Sequence, residues 1–475
     1  MNSTFASLRT PFLRGIVACA PMTFSSVPAA AQDSTAPGTK EQAAPPATKL
    51  EDLPPPVRLG LRVQQLQQAI PVAAVVVIVR DPRSYLDALA TWSPKLHFPV
   101  LIDDGSMLAH EDIARFVRAF APERVVRWTS RDAEGDQPWT PVPRPDITSA
   151  FVAALGLRGA SENRNLLQRA FEQVQSPGVV VTHEHDPAWP AALALAAGRL
   201  QPILWAETPK VPRDPNSSFP APDAEAFCTE IERGVAALGL KWRDTGDTIE
   251  GVTLCLNVPA RIEIDSKTFA ATTDRVGRLK EGGVGPLRRW AWGGQIIGSP
   301  AQAAYRAMSA LFLNPTSAWL FDAYETTGSW RLYNARGAEA YLKAMKFNYD
   351  IMDGEAQGAR DWRLRAARPL DAGLVLVNTM GNCDFFDLRP GQCKPGDVPI
   401  LARPAIVHFI HSWSAQFPAR RDTVAQRWLE RGAYAYLGSV QEPFLSAFVP
   451  TSQVVARLGA PAPWGASTRV DGAPL

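Results

Sequence analysis

One strand–helix–strand pattern occurs twice in the first half of the chain. Residues 75–104 read VVVIVRDPRSYLDALATWSPKLHFPVLIDD, and residues 178–207 read GVVVTHEHDPAWPAALALAAGRLQPILWAE. In both, a run of apolar residues precedes Asp-Pro, which favours a helix start with Asp as N-cap, and a second apolar run follows. Strands joined through a helix lie parallel. We therefore predict an α/β fold in which residues 57–245 form one domain, with both units of a duplication in one sheet.

The second half of the chain continues the alternation of strands and helices. Two apolar runs, Leu374–Val377 and Ala405–Ile410, are short enough to be buried strands, and each ends in small and polar residues. Ligands collect where neighbouring parallel strands end. A site at this edge would contain Cys383, Asp384, His411 and Ser412.

The order of elements in the second half resembles that of the gingipain-type cysteine peptidases, which have a caspase-like fold. The matching segments are Val276-Gly277-Arg278, SAWLFD at 317–322, the two central strands, and WLERGAYAYLGSVQEP at 428–443. The resemblance implies a caspase-like α/β domain at 246–475. It also implies a catalytic His-Gly after the first central strand and a catalytic Cys after the second. Here those places read Met380-Gly381 and His411-Ser412, so the family's peptidase residues are replaced.

The first half loosely resembles the Rossmann-like repeats of bacterial cell-wall-binding modules, in which a strand similar to Pro99–Ile102 follows an alanine-rich helix. This resemblance implies a duplicated Rossmann-like parallel-sheet domain at 57–245. Asp103 and Asp104 end one of its predicted strands and are candidate ligand-binding residues, or else cap a polar turn. No Gly-x-Gly-x-x-Gly follows either opening strand, so we expect no nucleotide and no other cofactor.

Three other groups of residues leave alternatives open. Cys383 and His411 are a possible catalytic dyad with exchanged positions, but Cys393 follows Cys383 after about ten residues and favours a Cys383–Cys393 disulfide. Asp384 and Glu442 are candidate ligand groups or loop caps. His183 and His185 could bind a metal ion, but no third ligand is identifiable, and we predict no metal site.

The first 31 residues have the features of a secretory signal: basic Arg9 and Arg14, an apolar stretch, and small residues before Gln32. Cys19 allows a lipoprotein signal as the alternative. Residues 32–56 are rich in Pro, Ala and Thr and are predicted to be a disordered linker. Cleavage leaves four cysteines, Cys228, Cys255, Cys383 and Cys393, and an even number in an oxidising compartment favours disulfides.

A formal net charge of +2 gives no reason to expect nucleic acid as a partner, and no other apolar run reaches the ~18 residues of a membrane helix. We therefore expect a secreted or periplasmic protein without a transmembrane segment. Its expected role is non-catalytic binding, of a cell-envelope component or a peptide. The alternative is an atypical cysteine or serine hydrolase that uses Cys383, His411 and Ser412.

Overall fold

The computed structural model describes residues 50–470 except 134, 136, 158–163, 208–212, 281–286 and 355–356. The predicted signal at 1–31 and residues 32–49 of the predicted linker lie outside the described residues. The rest of that linker contains a 3-10 turn at Leu50–Asp52, and the first α-helix begins at Pro55. This helix therefore starts slightly before the predicted end of the linker, with proline at a position where its missing N–H costs nothing.

Strands and helices alternate along most of the described chain. The strands are β1 Val75–Val79, β2 Val100–Ile102, β3 Arg124–Arg127, β4 Gly178–Thr182, β5 Ile203–Trp205, β6 Ser218–Pro220, β7 Gly251–Cys255, β8 Arg261–Glu263, β9 Phe269–Ala271, β10 Arg278–Lys280, β11 Leu287–Arg289, β12 Trp292–Ile296, β13 Ser317–Asp322, β14 Asn348–Met352, β15 Leu374–Asn378, β16 Met380–Asn382, β17 Phe385–Asp387, β18 Gln392–Cys393, β19 Ala405–Ile410 and β20 Ala433–Leu437. The helices are α1 Pro55–Ala69, α2 Pro82–Ala90, α3 Met107–Phe120, α4 Arg144–Ala154, α5 Arg164–Val174, α6 Trp189–Arg199, α7 Ala221–Ala236, α8 Thr272–Arg275, α9 Pro300–Phe312, α10 Glu339–Ala344, α11 Ala359–Ala366, α12 Val424–Glu430, α13 Thr451–Gly459 and α14 Trp464–Ser467.

The first predicted strand–helix–strand unit is β1–α2–β2. It lies in a three-stranded parallel sheet with the order β2-β1-β3. The predicted helix start is confirmed, because the Asp81 carboxylate accepts a hydrogen bond from the backbone N–H of Ser84 at 2.7 Å and Pro82 begins α2. β3 is an edge strand, and all four of its residues are exposed.

The second unit, β4–α6–β5, belongs to a different sheet, with the order β12-β7-β4-β5 and all strands parallel. Each unit is thus a parallel strand–helix–strand unit, but the prediction that both share one sheet is wrong. Asp186 also differs from its predicted role. The N-cap of α6 is Ala188, and the Asp186 carboxylate accepts from the backbone N–H groups of Ala188 and Asn257 and from the Asn257 side chain.

The predicted division between residues 245 and 246 falls inside this four-stranded sheet. β7 and β12 come after residue 245, yet β7 pairs with β4 in parallel register from Gly178↔Gly251. A single hydrophobic core contains side chains of β1, β7 and α9, among them Val76, Leu254 and Met308. Burial of the apolar strand β7 against β4 therefore extends the first core to about α9, and Pro54–Leu475 form one compact unit.

The largest sheet is five-stranded and parallel, with the order β14-β13-β15-β19-β20. The two predicted central strands are β15 and β19, and they are neighbours, with Leu374 opposite Ile406. Both faces are covered: Val375 and Val377 of β15 belong to one hydrophobic core, and Leu374 and Leu376 belong to another. Burial on both faces explains the continuous apolar runs in the sequence. The predicted α/β fold class is confirmed.

Two small sheets lie next to the carboxyl edge of the five-stranded sheet. β16, β17 and β18 form an antiparallel sheet directly after β15, and β6, β8 and β9 form another in which β8 and β9 are a hairpin. A helix long and apolar enough to cross a membrane is absent from the described residues.

Candidate functional site

His411 follows β19 at the carboxyl edge of the five-stranded sheet, and both of its ring nitrogens form hydrogen bonds. Nε2 lies 2.7 Å from the carbonyl oxygen of Asn382, and Nδ1 lies 2.9 Å from the hydroxyl of Thr379. Because a carbonyl only accepts, Nε2 carries the proton, and Nδ1 accepts from the Thr379 hydroxyl. Burial lowers the pKa of His411 from 6.5 to about 4. The imidazole is therefore neutral and holds the β16–β17 hairpin against β19.

Gly381 makes this contact with the hairpin possible. Its φ is +145°, a conformation that residues with a side chain rarely adopt. A Cβ at this position would lie 2.5 Å from Cε1 of His411 and 2.5 Å from the carbonyl oxygen of Phe385. The glycine that follows Met380 thus serves the packing of the imidazole, and Met380 itself packs against an apolar cluster that includes Tyr324 and Ile410.

Cys383 lies in the two-residue turn between β16 and β17, and its thiol does not pair with His411. Within the described residues, its side-chain hydrogen-bond partner is Arg420, whose Nη2 lies 3.9 Å from Sγ. Burial raises the pKa of the Cys383 thiol, and Asp384 raises it further, whereas Arg420 lowers it. The structure therefore places the predicted dyad at one sheet edge without the thiol–imidazole contact that a cysteine nucleophile needs.

The predicted Cys383–Cys393 disulfide is corrected by the structure, in which Cys228, Cys255, Cys383 and Cys393 are all free thiols. Cys393 lies in β18 opposite Phe386, and Phe386 comes three residues after Cys383 in the chain. That offset corresponds to roughly 10 Å along a strand, whereas disulfide Cα atoms are at most about 7 Å apart. Cys393 is fully buried in a hydrophobic core, and burial raises the pKa of its thiol to about 12.

The other candidates at this edge form local contacts. The Ser412 hydroxyl donates a hydrogen bond to Oε1 of Glu442 at 2.8 Å. Asp384 is the second residue of the hairpin turn and is exposed. A serine bonded to a carboxylate, with the neighbouring imidazole already occupied, lacks the arrangement of an activated hydroxyl nucleophile.

Asp103 lies at the carboxyl end of β2, in a group of charges that sequence reasoning did not identify. Its buried carboxylate is within reach of Arg127 Nη1 (2.5 Å), His110 Nε2 (3.0 Å) and Arg80 Nη2 (3.4 Å), and also accepts from the Gly105 backbone N–H. Burial opposes its ionisation, but the hydrogen bond from Arg127 and the other contacts lower the pKa of Asp103 to about 2. The carboxylate is thus ionised and well compensated.

Asp104 is exposed, and its carboxylate accepts from the backbone N–H of Ser106 at 2.9 Å, as in a polar turn that precedes a helix. An open cavity of about 470 Å³ lies beside this turn, between α3 and β3. It is lined by His110, Ile113, Ala114, Val117, Val125 and Arg127.

His183 and His185 lie side by side, with ring centroids 5.1 Å apart. Nδ1 of His183 accepts from the backbone N–H of His185, and Arg213 lies 3.3 Å from the same atom. Across the described ranges, no group of three His, Cys, Asp or Glu side chains is arranged to hold a metal ion.

Arg261 is a further residue at the five-stranded edge that sequence reasoning missed. It is 9% exposed, and its guanidinium carbon lies 4.6 Å from the ring centroids of both Phe269 and Phe417. Cys383 is close enough to influence its pKa. The sequence gives only a weak indication of this residue, because an arginine beside an isoleucine in a short strand is not distinctive.

Comparison with known proteins gives one weak similarity. No protein-family model matches this chain, and no curated protein matches it. A solved structure described as "Structure of Protease" aligns with a TM-score of 0.39 and 12% sequence identity, covering 57% of this chain and 61% of that chain. The chain thus spans less than two thirds of that protein's length. A match at this level supports no residue-by-residue correspondence.

Proposed function

We propose that this chain is an exported, non-catalytic protein with a peptidase-like α/β architecture. In this proposal it acts by binding a peptide or a cell-envelope component at the carboxyl edge of the five-stranded sheet. The observation that carries the proposal is the hydrogen bonding and the low pKa of His411. Both of its ring nitrogens are occupied, one by Asn382 of β16 and the other by Thr379, and burial lowers its pKa to about 4. A general base needs a free nitrogen and a pKa near the working pH.

The state of Cys383 supports the same conclusion. The thiolate is the nucleophile of a cysteine peptidase, and an adjacent cation or base must stabilise it. Arg420 lies 3.9 Å from the sulfur but also forms an ion pair with Asp422 at 2.8 Å. The net effect of the surroundings is to raise the pKa of the thiol. A largely buried, neutral thiol in the hairpin turn is not suited to attack a peptide carbonyl.

Labelling with a peptide probe that carries an electrophile tests the non-catalytic role. We expect the native protein to react slowly at Cys383, with a rate that rises steadily with pH as an unactivated thiol ionises. Cys393→Ala is the matched control, because that thiol is fully buried. Rapid labelling near neutral pH that is lost in both Cys383→Ala and His411→Asn would contradict the proposal and establish the hydrolase alternative.

Export is tested separately. The basic start and the small residues before Gln32 motivate it. Mass spectrometry of the protein from its native host should find an N-terminus near Gln32. An intact Met1 in the mature protein would contradict export, and a lipid on Cys19 would replace free secretion by membrane anchoring.

A further inference from the structure

Arg261 is a buried cation to which the described residues supply no counter-ion in contact. Its residue exposure is 9%, and its guanidinium forms no hydrogen bond or ion pair with any described residue. Its Nε is fully buried, whereas its two terminal nitrogens are not. A buried charge costs free energy unless it is paired and hydrogen-bonded. The Phe269 and Phe417 rings compensate in part through cation–π attraction. Neither ring supplies an oxygen acceptor for the N–H groups of Arg261.

The fold directs Arg261 towards the carboxyl edge of the five-stranded sheet. Successive side chains of a strand point to opposite faces, and Ile262 of β8 belongs to the first hydrophobic core. Arg261 therefore faces away from that core, towards the loop that follows β19. Two hydrogen bonds join the small sheet that contains β8 to the loops that follow β19 and β20. Phe269 N–H donates to the Gln441 side chain at 3.0 Å, and Ala419 N–H donates to the Asn216 side chain at 2.9 Å.

A second guanidinium lies on the same ring. The guanidinium carbon of Arg420 is 4.3 Å from the centroid of Phe417, and Nη2 of Arg420 approaches the Cys383 sulfur. Asp422 pairs with Nε of Arg420, whereas Nη2 points to the thiol. Asp384 and Glu263 are close enough to influence the charges here, but neither is hydrogen-bonded to Arg261. Arg261 and Arg420 thus both contact the Phe417 ring, and Arg420 also contacts the Cys383 thiol.

We propose that Arg261 and Arg420 bind an oxyanion, a carboxylate or a phosphate group of the ligand, next to the Cys383 thiol. Guanidinium groups match both chemistries through paired N–H donors. A neutral thiol at this position is compatible with an anion, whereas a thiolate would repel it. The inference rests on the binding role proposed above and adds to it the chemical class of the ligand.

The test uses the full-length protein at constant ionic strength, with chloride replaced by inorganic phosphate in one series and by acetate in another. A bound anion stabilises the folded state by mass action, so we expect a saturable rise in melting temperature of about 1–3 °C. We also expect alkylation of Cys383 by iodoacetamide, followed by peptide mass spectrometry, to slow about twofold or more. Cys228, Cys255 and Cys393, which are at most 2% exposed, are internal controls.

Two variants localise the effect. Arg261→Gln should abolish both the thermal shift and the protection of Cys383. Arg403→Gln should retain both, because Arg403 is a partly exposed residue that pairs with Asp371 elsewhere on the surface. If Arg261→Gln does not fold, Arg420→Gln replaces it, since the Arg420 side chain is 45% exposed.

The outcomes separate the possibilities. An effect of phosphate alone, or of acetate alone, supports the site and identifies the group it binds. Absence of protection in the native protein, or equal protection in Arg261→Gln, overturns the anion site. Labelling by the peptide probe that depends on His411 would instead overturn the non-catalytic role, whichever result the anions give.

Discussion

Two buried charges at the edges of different parallel sheets have opposite surroundings. Asp103, at the end of β2, is a carboxylate in contact with Arg127, His110 and Arg80. Arg261, which faces the end of the five-stranded sheet, is a guanidinium without an acceptor among the described residues. The structure itself explains the first charge, since its neighbours replace the lost hydration. Among the described residues the second contacts two aromatic rings and no acceptor, which is why the proposed ligand site is placed at Arg261 and not at Asp103.

A substitution in the β16–β17 hairpin, which carries Cys383, gives the largest expected effect on stability. Gly381→Ala would force a side chain into a conformation with φ of +145° and into contact with His411. We expect the free energy of unfolding to fall by about 3 kcal/mol or more, measured by urea denaturation. Gly396→Ala is the matched control, because a Cβ there meets nothing within 4 Å. Equal stability of the two variants would mean that the hairpin is not held against His411.

The neutral state of His411 predicts a pH dependence of stability. Its pKa is about 4 in the folded protein, below the ordinary histidine value of 6.5, so the unfolded chain binds a proton more readily. Its stabilising effect is complete above about pH 6.5 and decreases by about 3 kcal/mol as the pH falls from there to about 4. The difference between native protein and His411→Asn, followed by urea denaturation, isolates this effect from His97 and His408, whose pKa values are also lowered by burial. A difference that stays constant with pH would contradict the buried neutral imidazole.

Asp103→Asn tests the compensated charge. It leaves Arg127 and Arg80 without their shared carboxylate, and we expect a loss of about 1–2 kcal/mol near neutral pH, because both arginines are mostly exposed and screened by solvent. The folded pKa of Asp103 is about 2, below the usual value. Its stabilisation is therefore present above about pH 4 and is lost as the pH falls through about 2. Asp104→Asn, at the exposed neighbouring position, should change stability by less than about 0.5 kcal/mol.

Arg261→Gln should change stability less than Gly381→Ala, His411→Asn or Asp103→Asn. In buffer without phosphate or carboxylate, we expect the free energy of unfolding to change by less than about 1 kcal/mol in either direction. The variant loses the contacts with two rings but also removes an unpaired buried charge. Chemical denaturation measures the change, with Arg403→Gln as the surface control. A loss above about 2 kcal/mol would show that Arg261 stabilises the ligand-free fold, and the contrast with Asp103 would disappear.

Much of the fold was predictable from the sequence because local patterns carry the information. The strands at 317–322 and 405–410 have the predicted bounds, and the Asp81 cap and the helix after it lie where the sequence indicated. Branched apolar runs of five or six residues and Asp-Pro starts act within one element. The adjacency of β15 and β19 also followed from sequence, through the order of elements.

Sheet membership and side-chain partners were decided by the tertiary structure. The duplicated units look alike in sequence, yet they lie in two sheets, because β7 and β12 from beyond residue 245 complete the second. Cys393 appeared to be a disulfide partner by its spacing, but the hairpin register places it opposite Phe386. His411 appeared to be a base, but Thr379 and Asn382 occupy both of its nitrogens.

The sequence alone thus determined where the apolar strands and the Asp-Pro helix start lie along the chain, through short-range sterics and the burial of apolar runs. The role of each polar residue at the sheet edges was decided only by tertiary structure. Whether a charge is paired depends on atoms that are distant in the chain: Arg261 and Cys383 come together across 122 positions, and no local pattern records that Arg261 lacks an acceptor there. Hydrogen bonding and desolvation act over a few ångströms in space, irrespective of separation in sequence.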